Sequence, residues 1–233
     1  MRFKEFIDID SLRHAKIEEK PVKNYKGDYK NLDIAKPSSN GSDKTYQELN
    51  DMQDMFKDRN EVIEKSVKDH DLEVGYAVKQ YLKNNKLDYK ESDVNKIADI
   101  GGGIVRYYKN KFERVRPYQL AEALKMKFDH MPLESNSMKS PAYPSGHSLQ
   151  SRLIAEYYAE QYPEHKKGLI AAAEETGKGR IYAGWHYPSD HEAAVKLAKQ
   201  IYPNITMRKT FKESIIDIPR RTYAPKVFDD ADT

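Results

Sequence analysis

Apolar residues recur along most of this chain every three to four positions, the spacing that gives a helix one buried stripe. The pattern predicts helices over 44–57, 60–69, 71–84, 92–108, 117–126, 147–162, 164–183 and 188–201. Ser92 is placed to cap the fourth, Pro163 to end the sixth, and Pro188 to open the last, where its fixed φ and missing N–H cost nothing. Period-two alternation is nearly absent, which argues against sheet. The expected fold is all-α, a single-domain helical bundle spanning 43–202. Residues 1–42 and 203–233 lack the pattern and carry Pro21, Gly27, Pro37, the Ser38–Ser42 run, Pro219 and Pro225. They read as irregular N- and C-terminal arms, the first wrapping the core.

Three charged residues fall on the inward side of these stripes. Val94, Ala98, Gly101 and Val105 lead to Lys109; Leu169, Ala173 and Thr176 lead to Arg180; one turn before Ala194, Leu197 and Ile201 stands Asp190. Each alone has an ordinary reading, a snorkelling cation or a helix cap. Three charges aimed at one core are costly unless they share a partner, so convergence on one site is the expectation.

Two further clusters supply chemistry to such a site. Pro144-Ser145-Gly146-His147 directly precedes a helix, whose free N–H groups and positive dipole suit an oxyanion; Gly146 allows close backbone approach and the Ser145 hydroxyl adds a donor. A serine cap alone would explain the turn but not the imidazole. His186, between Gly184 and Pro188, has Asp190 four residues on. That carboxylate can hold one ring nitrogen and leave the other free as a nucleophile.

Composition narrows the remainder. Charged residues make up 33% of the 233 and hydrophobic ones 38%, with a net charge of only +3 and no long Lys/Arg block, so no nucleic-acid partner is expected. There is no cysteine, hence no disulfide or thiolate metal site. No apolar run follows the charged N-terminus or reaches membrane-spanning length, which points to a cytoplasmic protein without a membrane span. The Gly101–Gly103 run lacks the lysine of a nucleotide loop and reads as a close helix contact. His14, His70, His130 and His165 are expected at the surface.

Lys109-x6-Arg116-Pro117, then Pro144-Ser145-Gly146-His147, then Arg180-x5-His186-x3-Asp190 together resemble the signature of the type 2 phosphatidic acid phosphatase (PAP2) superfamily. One position departs: Gly179 stands where the signature has serine. Ala142-Tyr143 and Gly184-Trp185-His186-Tyr187-Pro188-Ser189-Asp190 are similar to the soluble bacterial class A non-specific acid phosphatases. The resemblance covers 43–202 and implies the helical bundle shared by PAP2 enzymes and vanadium haloperoxidases.

The resemblance also implies a metal-independent phosphomonoester hydrolase. Lys109, Arg116, Ser145, Gly146 and Arg180 would bind phosphate, His186 would form a phosphohistidine, Asp190 would orient it, and His147 would serve as general acid and then base. His147 would start protonated and His186 neutral, giving a bell-shaped pH profile on the acid side. No cofactor is expected; vanadate would inhibit, or would be the cofactor under the rival haloperoxidase reading. A non-catalytic phosphate-binding or virion-type structural protein is the other alternative. A metal site from His186, Asp190 and His191 fits poorly, since His191 sits about 100° round the helix from Asp190. The expected partner is a small phosphorylated substrate. Its organic half, and whether the chain forms a homo-oligomer, are left open by the residues.

Overall fold

A helix that buries residues on several faces takes the centre. A computed structural model describes residues 12, 14, 16–132 and 135–207, with only the backbone of Asn136 and Ser137; most of the predicted C-terminal arm lies outside the described residues. Among the described residues eight α-helices follow in order: α1 (Asp43–Met55), α2 (Glu61–Leu72), α3 (Tyr76–Asn84), α4 (Glu91–Phe112), α5 (Pro117–Ala123), α6 (Gly146–Gln161), α7 (Lys166–Tyr182) and α8 (Pro188–Ile201). α6 buries Leu149, Leu153, Ile154, Tyr157 and Tyr158 on several faces and packs against α3, α4, α7 and α8. Among the described residues the β pairing is one isolated antiparallel bridge, Tyr25–Ile205. The fold is all-α.

The main core joins α3, α4, α6, α7 and α8 around Ile97, Ile104, Leu153, Leu169 and Leu197. A second apolar cluster joins α1 and α5 through Leu49, Met52, Val115 and Leu120, and a third gathers Val67, Met131, Ala183 and Trp185. Arg114, Arg116, Arg180, His186 and Asp190 are buried along with these clusters. A Cβ on Gly101 would come within 3.0 Å of the Gln150 side chain and 3.2 Å of Leu153, so the glycine run does bring α4 close to α6. Val22, Tyr25 and Tyr29 of the preceding segment pack on the main core, and Lys26 N–H donates to Asn204 O at 3.1 Å.

Several boundaries differ from the sequence expectation, each for a tertiary reason. α4 starts at Glu91 with Lys90 as its N-cap, so Ser92 is not the cap. The Tyr158 hydroxyl holds the Lys90 backbone from α6, accepting from its N–H at 3.2 Å. α3 starts at Tyr76 instead of 71, because α2 continues to Leu72 and Gly75 turns the chain at φ +77°. α4 runs on to Phe112, which puts Lys109 inside its last turn.

Candidate active site

Local chain geometry brings Lys109 and Arg116 together. α4 closes at Glu113 in the left-handed region (φ +47°), with its N–H on Lys109 O at 2.9 Å. The chain then runs through Val115 to Pro117 at the first position of α5, with Arg116 as its N-cap in extended conformation. Val115 enters the second apolar cluster, and Arg114 and Arg116 are buried among polar partners. Their i, i+2 spacing suits a common face. Arg116 Nε donates to Ser140 O at 2.7 Å and one terminal nitrogen to Trp185 O at 2.8 Å. Lys109 Nζ donates to Pro141 O and reaches Ser140 Oγ at 3.2 Å.

α7 delivers the third cation, and its C-terminal turn places the histidine. Gly184 (φ +77°) donates to Ile181 O at 2.8 Å and Trp185 N–H to Arg180 O at 3.1 Å, the paired bonds of a glycine-terminated helix. A side chain at 184 would strike His130, 2.6 Å from the Cβ position. Arg180 lies over the Trp185 ring at 4.3 Å, and its guanidinium bonds Asp71 at 2.5 Å. His186 follows two residues after the turn, fully buried.

Asp190 does two jobs at once. Its Oδ2 accepts the Tyr187 N–H at 2.9 Å, which caps α8, and faces His186 Nδ1 at 3.3 Å. The capping and orienting roles are thus not alternatives. Oδ1 accepts from Arg114 at 2.6 Å, and Arg114 also bonds Glu48 at 2.7 Å. On the other side of the ring, an Arg116 nitrogen stands 3.2 Å from His186 Nε2. A guanidinium only donates, so Nε2 carries the lone pair and Nδ1 the proton.

The Pro144–His147 segment meets the same point from α6. Ser145 caps that helix, and its own N–H donates to Asp190 O at 3.1 Å. His147 is partly buried at the first turn. Burial, then Arg180, His186, Lys109 and Arg116, hold its ring well below the usual histidine range. Burial, then Arg116, Lys109 and Arg180, do the same for His186. Lys109 is pushed down by burial and Arg116, and burial with Arg180 nearby brings Arg116 down to about 10. Burial leads in each case, and the neighbouring cations add to it. An oxyanion among them would oppose the cations' share.

Thus Lys109, Arg116, Ser145, Gly146, His147, Arg180, His186 and Asp190 come from α4–α5, α6, α7 and α8 into one neighbourhood. His191 does not join them; it turns to Glu174 and Ser148. Sequence reasoning missed Arg114, Glu48, Asp71 and Ser140 and gave Trp185 no role; these hold the charged groups in place. It also put His70 at the surface, whereas His70 is 3% exposed beneath α7. Its burial follows from Val67 and His70 lying on one side of α2 against that helix.

His70 gives a physical account of Gly179. A Cβ there would sit at ordinary contact distance, 3.4 Å from Val67 and 3.9 Å from His70 Nδ1, and that buried nitrogen has no hydrogen-bond partner among the described residues. Serine fits, and its hydroxyl would reach Nδ1. Gly179→Ser is expected to stabilise the protein by about 1 kcal/mol, from helix propensity and one satisfied nitrogen, measured by denaturant unfolding.

Residues 97–198 match the PAP2 superfamily. A non-specific acid phosphatase of Providencia stuartii is 24% identical over 160 residues, covering 65% of this chain and 63% of that protein. A non-specific acid phosphatase of Salmonella typhimurium is 27% identical over 114 residues, covering 47% of this chain and 43% of that protein. The chain therefore spans less than two thirds of the length of these relatives. A transmembrane PAP2-type phosphatidylglycerolphosphate phosphatase from Bacillus subtilis aligns with 77% of this chain and 90% of its own at TM-score 0.45 and 19% identity. Among the described residues, no helix here is long and apolar enough to cross a membrane.

Proposed function

We propose that this chain, whose residues 97–198 match the PAP2 superfamily, is an enzyme of that kind and hydrolyses phosphomonoesters through a phosphohistidine on His186. The observation that carries the reading is the His186 ring held between Asp190 at Nδ1 and Arg116 at Nε2. That arrangement suits a neutral imidazole whose free lone pair faces the cations that would hold a phosphoryl group.

The phosphoryl oxygens are taken by Lys109, Arg116 and Arg180 with the N–H groups of the α6 N-terminus and the Ser145 hydroxyl. Fixed donors of this kind stabilise the extra charge of the five-coordinate transition state more than the substrate. Nε2 attacks phosphorus in line as the ester oxygen leaves, and His147 gives that oxygen its proton. His147 then removes a proton from water, which attacks the phosphohistidine and releases phosphate and free His186. Asp190 and Arg114 hold the imidazole through both steps. The cations do the charge neutralisation, so a divalent metal is not needed. Hydrolysis of p-nitrophenyl phosphate in EDTA, inhibited by vanadate, tests this; no release of nitrophenol from acid to neutral pH would refute it.

One consequence concerns protons. Burial and the neighbouring cations hold His147 well below its ordinary range, so a bound phosphate, by offsetting the cations, raises its affinity for a proton. Phosphate binding near neutral pH is expected to take up a proton, seen by calorimetry in buffers of different ionisation heat. The uptake fades as pH falls toward the range where free His147 is already protonated. It is absent in His147→Asn.

A further inference from the structure

A second hydrogen-bonded chain runs behind the phosphate site. Glu174 on α7 lies 2.8 Å from His191 Nε2; His191 Nδ1 lies 3.0 Å from Ser148 Oγ; Ser148 Oγ lies 2.8 Å from Ser145 Oγ. Arg152 of α6 anchors Glu174 at 3.0 Å and is itself paired with Glu156 at 2.9 Å. The ring has little freedom: a Cβ on Gly177 would sit 2.1 Å from His191 Nδ1, so α7 carries a glycine where the imidazole crosses it. The groups facing His191 are Glu174 from α7 and Ser148 from α6, with Arg152 behind Glu174. On its own helix, Asp190 is turned away to His186 and Arg114.

The donor and acceptor roles along this chain are coupled. Glu174 as a carboxylate only accepts, so Nε2 bears a hydrogen in either charge state. With the ring neutral, Nδ1 is an acceptor and takes the Ser148 hydroxyl proton. Ser148 Oγ then accepts from Ser145, whose proton is turned away from the α6 N-terminus. With the ring an imidazolium, Nδ1–H donates to Ser148, Ser148 donates to Ser145, and the Ser145 proton is released toward the anion site.

We propose that Glu174, His191 and Ser148 form a proton-gated positioning relay that aims the Ser145 hydroxyl at bound phosphate when His191 is protonated and away from it when the ring is neutral. The relay rests on the reading of Ser145 as a phosphate donor given above. None of the three residues touches the substrate. Their effect is one hydrogen bond to the anion, made or withheld according to pH.

The test is calorimetric titration of the full chain with inorganic phosphate between about pH 5 and 8, the range in which histidine charge changes. Ser148→Ala frees the Ser145 proton at every pH. It is expected to bind phosphate like wild type at the acid end and about tenfold more tightly at the alkaline end, the worth of one hydrogen bond to a charged group. Tighter binding after deletion of a buried hydroxyl is not a result that a purely structural role produces. Glu174→Gln, at a partly exposed side chain, puts an amide that can also donate opposite His191 Nε2, so a neutral ring can keep its hydrogen on Nδ1 and still direct the Ser145 proton outward. Its phosphate affinity is expected to depend less on pH than that of wild type. Ser148→Ala binding equal to or weaker than wild type by a constant factor at all pH values, or a Glu174→Gln curve that coincides with wild type, overturns the relay. Wild type that binds no phosphate overturns the phosphate-site reading, and the relay with it.

Discussion

Replacing His186 by alanine is expected to cost more than ~10²–10⁴-fold in kcat/KM for p-nitrophenyl phosphate, since it removes the nucleophile itself and not only an acid-base group. The residue lies between two polar partners, Arg116 and Asp190, so the variant should keep its thermal midpoint to within a few degrees. Phosphate affinity should largely survive, because Lys109, Arg116 and Arg180 remain. Loss of turnover with retained binding separates a nucleophile from a residue that only shapes the pocket. His147→Ala has a different signature: the leaving-group proton is lost, so the deficit is large for alkyl esters and smaller for p-nitrophenolate, which leaves as an anion.

The second large effect is on stability. Arg114 is 2% exposed and lies between Glu48 and Asp190 at 2.7 and 2.6 Å, with its guanidinium 3.8 Å from the centre of the Tyr187 ring. Arg114→Met would leave two carboxylates buried without their cation. Removal of one partner from such a network costs about 3–5 kcal/mol, which for a chain of this size lowers the thermal midpoint by roughly 10 °C or more. Activity should fall as well, because Asp190 loses the bond that fixes its position under His186. Adding Glu48→Gln to Arg114→Met should recover part of the stability and little of the activity, since it removes one stranded charge and leaves Asp190 unsupported. Equal stability of wild type and Arg114→Met by calorimetry would contradict this account of the network.

The order of helices was legible because most bury one stripe, and such a stripe shows as a 3.6-residue period. The same rule found the inward positions of Lys109, Arg180 and Asp190, which the structure buries. It was not carried through to Glu48 and Asp71, the acids paired with Arg114 and Arg180. Glu48 lies three residues after Thr45 and next to Leu49 on the buried side of α1, and Asp71 lies four after Val67 on α2. Both could have been found as acids on an apolar stripe. Arg114 was readable in principle from its spacing to Arg116, but only once the end of α4 was known.

Other features had no local signal. The start of α4 depends on a tyrosine hydroxyl 68 residues away, and Ser92 looked the better cap because that contact is invisible in the local sequence. The Glu174–His191–Ser148 chain joins three helices, and no spacing in the sequence marks it. Gly179 stood out only as the position that departs from the signature; with His70 and Val67 in view it faces a buried histidine on α2.

The central claim is that phosphate passes through His186. Rapid mixing with excess p-nitrophenyl phosphate, alkaline quench and mass spectrometry of the digested chain tests it directly, since phosphohistidine survives base. A phosphoryl group on the peptide carrying His186, formed at least as fast as turnover and absent in His186→Ala, is the predicted result. Turnover by wild type with no phosphorylated peptide, together with an active His186→Ala, would contradict it and require direct attack by water.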